Sequence, residues 1–128
     1  MIIEPIKTKK STMPPGPYAQ AYRAGNTIYV SGQVPFNPDT GKPISGGIKE
    51  QTRLTFENIS AVLDAGGASL KNVVKVNAWL RDLKDFSGFN AVYKEYFTEP
   101  PYPARTTLQS GAVLPEFLIE VEVTAVLR

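Results

Sequence analysis

The stretch FLIEVEVTAVL, residues Phe117–Leu127, decides the fold of this chain. Apolar side chains occupy every second position from Phe117 to Ala125, and the positions between them are Leu118, Glu120, Glu122 and Thr124. A period of two is typical of a β-strand that buries one face and leaves the other mixed. We therefore predict a sheet whose apolar face is covered by other elements.

Two helices are predicted to cover that face. Residues Ile48–Ala65 carry apolar side chains at three- and four-residue spacings, and Gly66-Gly67 ends the helix. A second helix is capped by Asp82 or Asp85 and runs to about Thr98, with Phe86, Phe89, Val92, Tyr93 and Tyr96 or Phe97 directed inward. Both helices belong on the same side of the sheet as the apolar face.

Five further segments are predicted to be strands from their β-branched residues and flanking turns. They are Ile2–Lys7, Tyr18–Arg23, Thr27–Val34, Asn72–Arg81 and Thr106–Val113. In the Asn72–Arg81 strand, the core side is predicted to be Val74, Val76, Ala78 and Leu80. The glycines and prolines of residues 35–47 predict an irregular loop. The order β-β-β-α-β-α-β-β defines an α+β domain with six strands in one sheet and two helices on one face.

The second face of this sheet carries large aromatic side chains among polar ones. Tyr29 shares a strand face with Ser31 and Gln33, and Trp79 shares one with Lys75 and Asn77. Such a mixed face favours partial burial against another copy of the chain. A solvated antiparallel face is the alternative.

Composition excludes several classes of function. The 128 residues suffice for a single domain, which we predict over residues 1–128. The chain has no histidine and no cysteine, which removes thiol chemistry, the histidine base and most zinc sites. A net charge of +2 without a basic stripe argues against nucleic acid as a partner. No apolar run is long enough for a membrane span and no signal peptide is predicted, so a cytoplasmic location is the default.

Two charged residues are candidates for catalysis. Arg105 lies in the proline-bent segment Tyr102–Thr107, and its guanidinium can bind a carboxylate or phosphate through two parallel hydrogen bonds. Glu120 lies in the middle of a strand, where partial burial would raise its pKa and suit it to proton transfer. The alternatives are a surface arginine and one more polar residue on a solvated strand face.

Weaker signals surround this pair. Tyr18 follows a stiff loop with three prolines, Gly32 within a strand permits close approach of a ligand, and Ser31 beside it offers a hydroxyl. Tyr18 could equally be core. We find no phosphate-binding glycine loop and no acidic cluster with metal-ligand spacing, so no metal is predicted.

The ordered set of motifs resembles the reactive intermediate deaminase family, also called Rid or YjgF. The resemblance spans nearly the whole chain. It rests on Gly16–Gln20, Ile28–Pro35, Asn37–Gly41, Thr55–Ile59, Val73–Val76, Asp82–Phe86, Asn90–Tyr93, Pro103–Thr107, Leu114–Pro115 and Ile119–Glu122.

This resemblance implies a mixed sheet like that of the bacterial AroH-type chorismate mutase, assembled as a homotrimer around a central barrel with ligand clefts between subunits. It implies hydrolysis of 2-imino acids and their enamine tautomers to 2-keto acids and ammonia, by a 2-iminobutanoate/2-iminopropanoate deaminase that uses no cofactor or metal.

The resemblance also implies roles for individual residues. Arg105 would bind the substrate carboxylate, and Glu120 would polarise the attacking water and move protons to the departing ammonia. The remaining pocket residues would be Tyr18 (from the neighbouring subunit), Ser31, Gly32, Asn90 and Thr107. The chain departs from the family at Thr107, where many members carry cysteine, and in the bulk of Pro100, Pro101 and Tyr102.

Two other functions stay open at this point. A non-catalytic sensor would bind 2-keto acids in the same cleft through the same residues. Family members have also been described as translation inhibitors or ribonucleases, but the low net charge and the lack of histidine argue against RNA cleavage here.

Overall fold

The computed structural model describes residues 1–128 and contains one six-stranded sheet with two helices on one face. The strands follow the order β1-β2-β3-β8-β6-β7, and only β6 and β7 are parallel. The predicted mixed six-stranded sheet with two helices is therefore confirmed. Its elements are β1 Ile3–Ile6, β2 Ala21–Ala24, β3 Thr27–Gln33, β4 Phe36–Asn37, β5 Lys42–Pro43, α1 Ile48–Ala65, β6 Val73–Leu80, α2 Phe86–Tyr96, β7 Ala104–Gln109 and β8 Ile119–Val126.

Strand β8 lies in the middle of the sheet, between β3 and β6. Its residues alternate between buried and half-buried along its whole length, as the period of two predicts. The buried side chains join those of α1 and α2 in one core of 19 residues. Helix α1 packs over β3 and β8, so burial of this apolar face holds the helices on the sheet.

Two strand irregularities overturn predicted facings. Val74 was predicted to face the core but is 45% exposed, whereas Val73 is 7% exposed. The β6–β8 register shifts between Val73 and Lys75, and one extra residue reverses the face of those before it. A similar shift between Val30 and Gln33 turns Gln33 from the predicted open face into the interior, where it is fully buried.

Strand β7 also differs from its predicted bounds. It begins at Ala104 rather than Thr106 and ends at Gln109, so Val113 lies outside it. Parallel pairing with β6 extends the strand back to the end of the proline segment. Arg105 is therefore held on a strand and not in a turn. The predicted irregular loop also contains the small antiparallel ribbon of β4 and β5.

None of the helices is long and apolar enough to cross a membrane. The structure also contains no group of three or more acidic residues arranged to hold a metal ion.

Candidate active site

Arg105 forms the centre of one group of site residues, on the helix side of the sheet. It lies opposite Val76 in the parallel β6–β7 register, and Val76 is a core residue. The Arg105 side chain therefore extends toward α2. There, its Nη1 donates a 2.8 Å hydrogen bond to Asn90 Oδ1.

Aromatic rings of α2 surround this guanidinium. Its central carbon lies 4.6 Å from the ring centroid of Tyr93 and 5.6 Å from those of Phe86 and Phe89. Such cation–π contacts stabilise a guanidinium whose charge is partly removed from water. Asn90 and Tyr93 are three residues apart and so share one helix face. Helix α2 thus presents both residues to Arg105.

A cavity of about 500 Å³ opens beside Arg105. Asn90, Tyr93, Phe97 and Tyr102 contribute to its wall. The remaining N–H groups of Arg105 can reach an anion there, with apolar rings available for the rest of a small ligand. Tyr102, one of the bulky residues by which the chain departs from the family pattern, lines this cavity.

Thr107 lies on the same side of β7, opposite buried Ala78. Its hydroxyl oxygen is buried and has no hydrogen-bond partner. Thr107 is thus an unsatisfied polar group two residues from Arg105. A buried hydroxyl without a partner costs free energy, so a ligand that could bond to it would be favoured here.

Glu120 forms the centre of a second group, on the open face of the sheet. It lies opposite Trp79 in the β6–β8 register. A cavity of about 340 Å³ is lined there by Tyr18, Ser31, Gly32 and Glu120, among others. A Cβ on Gly32 would overlap the Glu120 carboxylate. The glycine therefore makes room for this carboxylate, and the close approach of a ligand at Gly32 stays a prediction.

Burial raises the pKa of Glu120 above its ordinary value, and the neighbouring Glu122 raises it further. Burial also raises the pKa of Tyr18, with a second contribution from the charge of Glu120. Asn77 Nδ2 donates a 2.9 Å hydrogen bond to Glu122 Oε1, which leaves Glu120 as the carboxylate facing the cavity. A carboxylate with a raised pKa is suited to accept and return a proton near neutral pH.

The loop that carries Tyr18 is held by polar contacts. The Tyr18 hydroxyl donates to the carbonyl of Pro14, and the Ser31 hydroxyl donates to the carbonyl of Ala19 at 2.6 Å. Ser31 therefore anchors the backbone next to Tyr18. Gln33 contributes from the interior by accepting a 3.2 Å hydrogen bond from the Ser11 hydroxyl. The sequence did not reveal this role of Gln33, because the register shift in β3 leaves no sign in the alternation of apolar and polar residues along the strand.

The seven predicted site residues thus fall into two groups on opposite faces of one sheet. Arg105, Asn90 and Thr107 lie on the helix side. Tyr18, Ser31, Gly32 and Glu120 lie on the open side. A single chain does not bring Arg105 and Glu120 into one cavity. Tyr18 was expected from a different subunit than the rest of the site, but it lies beside Glu120 of its own chain.

Residues 8–127 match the family model described as Endoribonuclease L-PSP. The chain belongs to this family, and the membership in the Rid family predicted from its motifs is confirmed. A RutC family protein of Pyrococcus abyssi is 48% identical and covers 98% of each chain. A protein of Dermatophagoides farinae named 2-iminobutanoate/2-iminopropanoate deaminase is 38% identical over 96% of this chain and 95% of its own.

A solved Rid structure shows the same fold. RidA from the Antarctic bacterium Psychrobacter sp. is 40% identical and superimposes with a TM-score of 0.90, covering 97% of this chain and 99% of that one. The family match and the RidA superposition each span nearly the whole chain, and both groups of site residues lie within the matched residues 8–127.

Proposed function

We propose that this Rid protein hydrolyses 2-imino acids and their enamine tautomers to 2-keto acids and ammonia. The observation that carries the proposal is the half-buried Arg105 fork, fixed by Asn90 at 2.8 Å beside an aromatic-lined cavity. A guanidinium so placed selects a small molecule with a carboxylate. The relative from Dermatophagoides farinae that bears the deaminase name supports the reaction class.

Glu120 supplies the proton chemistry in this proposal. The oxygen of water bonds to the carbon of the protonated imine (C=NH2+) while Glu120 accepts a proton from that water, and the C=N electron pair moves to nitrogen, which becomes a neutral amine. Glu120 then returns its proton to this nitrogen. The C–N bond breaks, ammonia leaves, and loss of the hydroxyl proton gives the keto group. General acid–base assistance of this kind contributes roughly 10²- to 10⁴-fold in rate.

The complete site in this proposal lies between two copies of the chain. Arg105 and Glu120 lie on opposite faces of one sheet, and the open face exposes Tyr22, Tyr29 and Leu108. Burying such a face against another copy is favourable. We propose that the assembly is a homotrimer with the open faces directed inward, in which the Arg105 group of one subunit adjoins the Glu120 group of the next.

The side chain of the preferred substrate depends on Thr107. Its unsatisfied hydroxyl makes this part of the site more polar than a cysteine would. We propose the imines of 2-oxobutanoate and pyruvate as substrates, acted on in the cytoplasm without a cofactor.

The test is a coupled assay in which a serine or threonine dehydratase generates the imine in the presence of semicarbazide. Wild-type protein should lower the amount of trapped imine and speed release of the keto acid. Arg105→Ala should reduce kcat/KM by at least about tenfold, because it removes a charge-assisted contact of roughly 1.5–3 kcal/mol. Full activity of a folded Arg105→Ala protein would refute the role of Arg105.

The same assay and the same variants distinguish the deaminase from two alternative functions. A 2-keto acid sensor would bind its ligand through Arg105, produce no turnover, and be indifferent to Glu120→Gln. The description of the family model favours RNA cleavage as a second candidate, but the chain has no histidine and a net charge of only +2. Cleavage of RNA that is lost in Arg105→Ala would support that candidate over the deaminase.

A further inference from the structure

We propose that Tyr93 is a positioning residue that holds the Arg105 fork in its carboxylate-binding orientation. The inference rests on the proposed function, because it assigns Tyr93 a task in the same site. Sequence analysis assigned Tyr93 only to the inward face of α2.

The first observation is the place of the Tyr93 ring. Of the three rings around the guanidinium, that of Tyr93 is the closest, at 4.6 Å from the central carbon of Arg105. Tyr93 also lines the cavity beside Arg105. The ring therefore limits the movement of the planar fork on one side, while Asn90 restrains it through Nη1.

The second observation is the Tyr93 hydroxyl. Tyr93 is 6% exposed, and its hydroxyl oxygen is buried without a hydrogen-bond partner. The ring packs against Phe56, Phe89 and Phe97. A phenylalanine would satisfy this apolar packing equally well and would bury no unpaired hydroxyl. Packing alone therefore does not explain the tyrosine.

Arg105 is the group that can use this hydroxyl. Burial raises the pKa of Tyr93, and the positive charge of Arg105 and the closeness of its N–H groups to the phenol oxygen oppose part of that rise, although no N–H meets the geometry of a full hydrogen bond. The phenol is therefore neutral at physiological pH, and its oxygen can accept an N–H of the guanidinium. Arg105 has five N–H groups in a fixed plane. Asn90 takes one, a bidentate carboxylate takes two, and the phenol oxygen takes another on the buried side.

The consequence is a fork with one orientation instead of several. When the carboxylate draws the guanidinium into the plane of its two oxygens, the Tyr93 oxygen accepts a fourth N–H on the buried side. Preorganisation of this kind improves binding without a direct contact between Tyr93 and the substrate.

The experiment compares Tyr93→Phe with Tyr96→Phe. Tyr96 belongs to the same helix and stacks on Phe56, but its hydroxyl donates to Glu57 at 2.9 Å and does not line the Arg105 cavity. The probe is 2-oxobutanoate, titrated by NMR so that millimolar dissociation constants are measurable. KM and kcat for the imine are measured in parallel, and melting temperatures establish that each variant is folded.

Tyr93→Phe should raise the dissociation constant for 2-oxobutanoate and the KM for the imine by roughly tenfold with kcat little changed, since it weakens ground-state and transition-state binding alike. Tyr96→Phe should leave both constants unchanged. In an Arg105→Lys background, the penalty of Tyr93→Phe should disappear, because lysine has no planar fork to orient.

Three results would overturn the inference: wild-type affinity in Tyr93→Phe, an equal penalty in the Arg105→Lys background, or no 2-oxobutanoate binding by the wild type. If the wild type binds 2-oxobutanoate but hydrolyses no imine, the deaminase proposal fails. The dissociation constants of the Tyr93→Phe, Arg105→Lys and double variants then decide the role of Tyr93.

Discussion

At the scale of single residues, the central feature is the partly buried carboxylate of Glu120. The space above Gly32 admits this carboxylate, and the nearby Glu122 adds negative charge. Burial of the Glu120 carboxylate and the negative charge of Glu122 both oppose its ionisation in the folded protein. A carboxylate in such surroundings weakens the fold when it is charged, and this cost is typical of groups retained for proton transfer.

Glu120→Gln should therefore raise the melting temperature near pH 7 while lowering activity by at least about 100-fold. The folded-state pKa of Glu120 lies above its unfolded value, so the wild type loses stability as pH rises through the folded pKa. The advantage of the glutamine variant should be small near pH 4 and should grow toward neutrality. Thermal denaturation across this range measures it.

Glu116→Gln is the matched control, because Glu116 is exposed in the loop before β8. It should leave both the melting temperature and the activity unchanged. A Glu120→Gln protein that is less stable than the wild type at pH 7 would show that the carboxylate is stabilised by its surroundings, which contradicts the direction of its pKa shift.

At the scale of elements, helix α1 holds the loops through polar side chains as well as packing on the sheet. Asn58 Nδ2 donates to the carbonyls of Val34 and Phe36 at 3.0 and 2.9 Å. Gln51 accepts a 2.7 Å hydrogen bond from the Leu118 amide just before β8. These buried side chains supply hydrogen bonds to loop backbone groups that have few backbone partners.

Asn58→Ala should lower the free energy of unfolding by roughly 2–4 kcal/mol, because two hydrogen bonds to loop carbonyls are lost, the Val34 carbonyl keeps only the Phe36 amide as donor, and a small void remains. Urea denaturation measures this change. Asp64→Ala, at an exposed position near the end of the same helix, should stay within about 0.5 kcal/mol of the wild type. Equal urea midpoints for Asn58→Ala and the wild type would contradict the anchoring role.

The sequence predicted elements more reliably than local register. The alternation in β8 and the apolar stripe of α1 predicted which faces are buried, because regular periods translate directly into geometry. The predicted facings of Val74 and Gln33 were wrong, since one inserted residue reverses a strand face and leaves no mark in the composition of the strand. Asn58 and Gln51 were missed because a polar residue predicts exposure unless its partners are known.

The proposed site was predictable as a set of residues but not as an arrangement. Motif resemblance selected Arg105, Glu120 and their neighbours. The face of Glu120 followed from the alternation in β8, but the face of Arg105 depends on the parallel pairing of β6 with β7, a contact between segments separated by a whole helix. Tyr93 was part of the motif Asn90–Tyr93 and faced inward on α2, but it was given no role in the site, because its unpaired hydroxyl is visible only once packing is known.

At the scale of the whole molecule, one chain keeps two proposed half-sites apart on opposite faces of its sheet. The helix side of β7 carries Arg105, the proposed carboxylate-binding residue, and the open face of β8 carries Glu120, the proposed proton-transfer residue. A closed ring of three subunits would supply each site with one half from each of two neighbours. We therefore propose that activity belongs to the assembly and not to the single chain.

Mixing two inactive variants tests this claim most directly. Arg105→Ala and Glu120→Gln proteins are combined in equal amounts, unfolded, refolded together and assayed, with light scattering to measure the assembled mass. Random assembly places an intact Arg105 beside an intact Glu120 in about one site in four, so about a quarter of wild-type activity should return. The control mixes Arg105→Ala with Asn90→Ala, which damage the same half-site.

The control mixture should be no more active than the average of its two parents. Recovery confined to the Arg105→Ala and Glu120→Gln mixture is the predicted result. A mixture that assembles fully but stays inactive, or a wild-type protein that is an active monomer at micromolar concentration, would contradict the account.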